Sequence, residues 1–68
     1  MQYKSLSEYL LEVKRELKRK VPDMAKNEDL AIAHIRGSMS FYTDYYNDDT
    51  APEEAVDDDI SDWETDSE

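Results

Sequence analysis

The sequence predicts an all-α protein: a small helical hairpin of two antiparallel helices, followed by an acidic C-terminal tail that is disordered or becomes helical only on binding. Three observations predict it. Two stretches carry apolar residues at helical spacing, a proline lies between them, and the charge balance changes abruptly after Tyr46. Residues 1–46 hold eight basic and seven acidic groups, whereas residues 47–68 hold eleven acids and no base, so the whole of the net charge of −10 arises in the last third. The chain therefore divides into a nearly neutral body, 1–46, and an acidic tail, 47–68.

The first helix is expected over 6–20. Ser5 and Glu8 have the spacing of a capping box, and Leu6, Leu10, Val13 and Leu17 follow at steps of four, three and four. Lys14, Arg15, Lys18, Arg19 and Lys20 form the basic end, which suits the negative pole of the helix dipole and also offers a dock for an acidic group. Pro22 ends this helix, and Asp23 starts a single short turn through Lys26. A second helix is expected from Asn27, an N-cap followed by Glu28 and Asp29, to Tyr46, with Ile32, Ile35, Met39, Tyr42 and Tyr46 on one face. The short connector makes the helices antiparallel, with Leu6, Leu10, Val13 and Leu17 facing Ile32, Ile35, Met39 and Tyr42. Tyr9, Leu11, Leu30 and Phe41 are left over. Together with the small-residue strip Ala33, Gly37 and Ser40, they invite a second copy to complete a four-helix bundle.

Beyond Asn47, low hydropathy and dense charge predict disorder in isolation. Val56, Ile60 and Trp63 nevertheless recur at helical steps, and Pro52, Glu53 and Glu54 make a good first turn, so residues 52–64 are expected to become helical against a partner.

Sixty-eight residues without cysteine or a membrane-length apolar run suggest a cytoplasmic protein that draws on a partner or a second copy for stability. No cofactor or metal is expected. His34 is the lone histidine, Gly37 the lone glycine, and neither a phosphate-cradling loop nor a calcium-loop pattern occurs, so catalysis is not expected. Direct nucleic-acid binding lacks the positive charge it requires, and no apolar run approaches the length of a membrane span.

In composition alone, the helical body with a dense acidic end resembles phage-encoded inhibitors that imitate nucleic acid. The resemblance implies a basic, nucleic-acid-binding protein as partner. The residues expected to meet it are Asp57, Asp58, Asp59, Ile60, Asp62, Trp63 and Glu64 of the tail, with Trp63 as apolar anchor, and Tyr42, Tyr45 and Tyr46 of the aromatic end. The alternative is a structural or assembly protein that binds through the hairpin, the tail serving to keep it in solution. In a third arrangement the tail folds back on the basic stretch from Lys14 to Lys20 and is displaced by the true ligand.

Overall fold

In the computed structural model, which describes residues 5–66 and the side chains through Asp62, the chain is helical with no strand among the described residues. Ser5 opens the first helix by accepting the Glu8 backbone N–H on its Oγ at 3.3 Å, and α1 then runs Leu6–Lys20. Val21 takes an extended conformation, as the residue before a proline must, and α2 is the single turn Pro22–Lys26. Asn27 Oδ1 accepts the Asp29 N–H at 3.1 Å and starts α3, Glu28–Gly37. The remaining helices are α4, Met39–Asn47, and α5, Pro52–Asp66.

The helix expected from Asn27 to Tyr46 is broken at Ser38. Its N–H is shared between the His34 and Ile35 carbonyls at 3.0 and 3.1 Å, and its backbone leaves the helical region at φ −114°, ψ 24°. Gly37 just before it has poor helix propensity, which makes this the cheapest place to bend. A methyl group placed on Gly37 would meet nothing within 4 Å, and Ala33 and Ser40 are exposed. Among the described residues of the chain, no other backbone approaches this small-residue strip.

The expected tail is a seated fifth helix. Ala55 and Val56 are fully buried, and they join Tyr9, Val13 and Leu17 of α1, Met24 of α2, Ala31 and Ile35 of α3 and Tyr42 of α4 in one core. Burying a side chain such as Leu17 or Val56 contributes about 1.5–3 kcal/mol, more than the few tenths lost to each like-charged pair spaced four apart on α5. The segment thereby gains an apolar contact that it lacks in isolation. The α1 face is rotated accordingly: Tyr9, not Leu6 or Leu10, is innermost, because α3 covers one flank of α1 and α5 the other. Ile32 and Met39, expected inside, are 37% and 40% exposed.

The connection between α4 and α5 is a Schellman turn. The Thr50 N–H reaches the Tyr45 carbonyl at 3.0 Å and the Asp49 N–H the Tyr46 carbonyl at 3.1 Å, with Asp49 left-handed at φ 63° where glycine is usual. The Tyr9 hydroxyl then donates to the Thr50 carbonyl at 2.8 Å, which pins this turn to α1.

Candidate functional site

Helix periodicity sorts the acids of α5 into two faces. Pro52, Ala55, Val56 and Asp59 point inward, while Glu53, Glu54, Asp57, Asp58 and Asp62 are exposed. Carboxylates four residues apart repeat at about 6 Å along the axis, and Asp44, Asp48 and Asp49 extend the exposed acid onto α4 and the turn. The result is a negative face held on a fixed helix.

Two cations from α1 border it. Lys20 Nζ pairs with Asp57, and Arg19, bonded to Glu16 at 2.8 Å, lies 3.6 Å from Glu53. The Glu16 hydrogen bond and charge hold the Arg19 guanidinium above its ordinary value. The basic end of α1 thus lies against α5, as in the fold-back arrangement, although buried Ala55 and Val56 add an apolar hold that charge alone would not supply.

Under the acidic face lies a polar cluster. Asp59 is 8% exposed, and its Oδ2 receives the Tyr42 hydroxyl at 2.6 Å and contacts His34 Nε2 at 2.5 Å. Burial and then the Asp59 hydrogen bond push the Tyr42 phenol well above its ordinary pKa. Asp59 and Tyr42, expected at a partner interface, therefore face inward and fasten α5 to α3 and α4. The other expected residues fall differently. Asp57, Asp58 and Asp62 are exposed, and Ile60 packs against the core. Tyr45 stacks on Phe41 at 4.8 Å and donates to Asp58 at 2.7 Å, a hydrogen bond that raises its phenol pKa. Tyr46 meets Tyr9 edge-on at 5.5 Å. Trp63 and Glu64 belong to α5, but their side chains lie outside the described residues.

Sequence reasoning missed His34 as a partner of Asp59. The available signal was that Asp59 shares the helical face of Val56 and Ile60, so an acid on the apolar side had to find donors. Among the described residues, no group of three or more His, Cys, Asp and Glu is placed to hold a metal ion, and no helix is long and apolar enough to cross a membrane.

The fold and site define a small all-helical protein with a fixed acidic face. No family model, curated protein or solved structure matches the chain.

Proposed function

We propose that this is a non-enzymatic interaction protein, an inhibitor in the manner of small phage proteins, whose acidic face occupies the basic nucleic-acid-binding surface of a partner. The observation that carries the reading is the exposed row Glu53, Glu54, Asp57, Asp58 and Asp62 on a helix anchored by its opposite face. From Glu53 to Asp62 the row sets five exposed acids in ten residues, about one per 3 Å of helix axis, close to a single nucleic-acid strand at about 3.4 Å, with Arg19 and Lys20 offsetting two of them. Such a row costs stability through repulsion, which makes it a feature the fold carries rather than one it needs. A helix already in place binds without a further ordering cost, and its field speeds encounter with a cationic surface.

The test is affinity capture with the full chain from cell lysate at rising salt, beside a variant carrying Glu54→Gln, Asp58→Asn and Asp62→Asn. The reading expects nucleic-acid-binding proteins that elute with salt, are displaced by added DNA, and are lost from the triple variant. Recovery of no such protein at low salt, or of a partner indifferent to salt and to the three substitutions, refutes it.

A further inference from the structure

On the flank of α1 away from α5, α1 and α3 enclose an open groove of about 400 Å³, lined by Ser7, Leu10, Leu11, Lys14, Ile32, Ile35 and Arg36. Its floor is apolar. Leu11 is 56% exposed and Ile32 37%, so large aliphatic surface faces water here for no purpose within the chain. Its rim is cationic: on a chain of net charge −10, the lining holds two cations and no acid. Lys14 bonds to Glu28 at 2.6 Å, whereas Arg36 has no ion pair among the described residues.

We propose that this groove is a second docking surface that takes an amphipathic helix of another protein, with apolar residues at i, i+3 or i+4, and i+7 flanked by aspartate or glutamate. The dimensions fit. From Ser7 to Lys14 the groove follows seven residues of α1, about 10 Å, which equals the rise from i to i+7 of a docked helix. The charge fits as well, since an acidic flank meets Arg36 and shares Lys14 with Glu28. A second copy of this chain fits worse. Self-pairing sets like rims against each other between two bodies of −10 each. The proposal is independent of the acidic-face reading, because the groove and α5 lie on opposite flanks of α1.

A displayed library of helical peptides, varied in flanking charge and selected on the folded full chain with excess polylysine covering the acidic face, tests it. The expected winners carry an apolar row with acidic flanks. Their affinity should drop about 10-fold or more in Leu11→Ser with Ile32→Ser, both exposed positions, and fall also in Arg36→Glu, while the melting curve of each variant stays near that of the parent. Winners with basic flanks, winners unaffected by these substitutions, or no winners each overturn the proposal. So does sedimentation as a dimer that Leu11→Ser with Ile32→Ser converts to monomer, because a second copy would then fill the groove.

Discussion

Replacing Tyr42 by phenylalanine removes one hydroxyl from the centre of the molecule and leaves its ring in place. That hydroxyl donates at 2.6 Å to a carboxylate only 8% exposed, so Asp59 keeps His34 as its remaining side-chain contact. A hydrogen bond to a buried charge contributes about 1.5–3 kcal/mol, so Tyr42→Phe should cost about 2 kcal/mol. Asp59→Asn preserves shape and an acceptor but gives up the charge, and should cost about 1–2 kcal/mol. The two changes disrupt the same contact. The double variant should therefore cost about 1–2 kcal/mol less than the sum of the two separate costs, a coupling of the size seen for touching partners. Urea unfolding followed by circular dichroism reads this directly. With a slope near 1 kcal/mol per molar for so small a chain, Tyr42→Phe should move the midpoint by about 2 M. Strictly additive costs would mean that Tyr42 and Asp59 do not hold α5 together, and the account of how α5 is seated would fail.

Three further outcomes follow from the same geometry. Val56→Ala removes two carbons from a fully buried site, about 1.6 kcal/mol of transfer energy plus a cavity, so a loss of about 2–3 kcal/mol is expected; an unchanged urea midpoint would show that α5 is not seated in the core. Because the native state holds the raised Tyr42 proton while the unfolded chain loses it near pH 10, the stability from this group is complete below about pH 10 and declines above it by at most about 1.4 kcal/mol per pH unit; alkaline unfolding should be shallower in Tyr42→Phe, and equal slopes would assign the effect elsewhere. Asp49→Gly relieves a left-handed backbone and should raise stability by about 0.5–1 kcal/mol, seen as a higher Tm; a lower one would show that the aspartate side chain contributes more than the backbone strain costs.

Local signals in the sequence transferred almost residue for residue. Ser5 and Asn27 cap where their side chains predict, Pro22 breaks the chain, and the single turn through Lys26 forms. What escaped is what depends on distant neighbours. The average polarity of the last third favours disorder, yet Ala55 and Val56 find a matching stripe and two cations on α1, a match that no window within the tail contains. The break at Ser38 escaped because apolar spacing runs through Gly37 unbroken, so the sequence pattern carries no sign of the bend. For the site, the exposed acids Asp57, Asp58 and Asp62 were legible from composition. The inward turn of Asp59 required knowing which side of α5 is covered, and the groove required knowing that Leu10 and Ile32 lie near the edge of the core.

The attachment of α5 to α1 also sets a clock. The bond from Tyr9 to Thr50 spans 41 residues, and at a synthesis rate of about 5–20 residues per second the far side of α1 waits about 2–8 s for its cover to be made. During that interval Tyr9, Val13 and Leu17 lack the contribution of Ala55 and Val56. The newborn chain is then at its most vulnerable to proteases and most in need of a chaperone. An early stop anywhere before Val56 would leave α1 without this cover permanently.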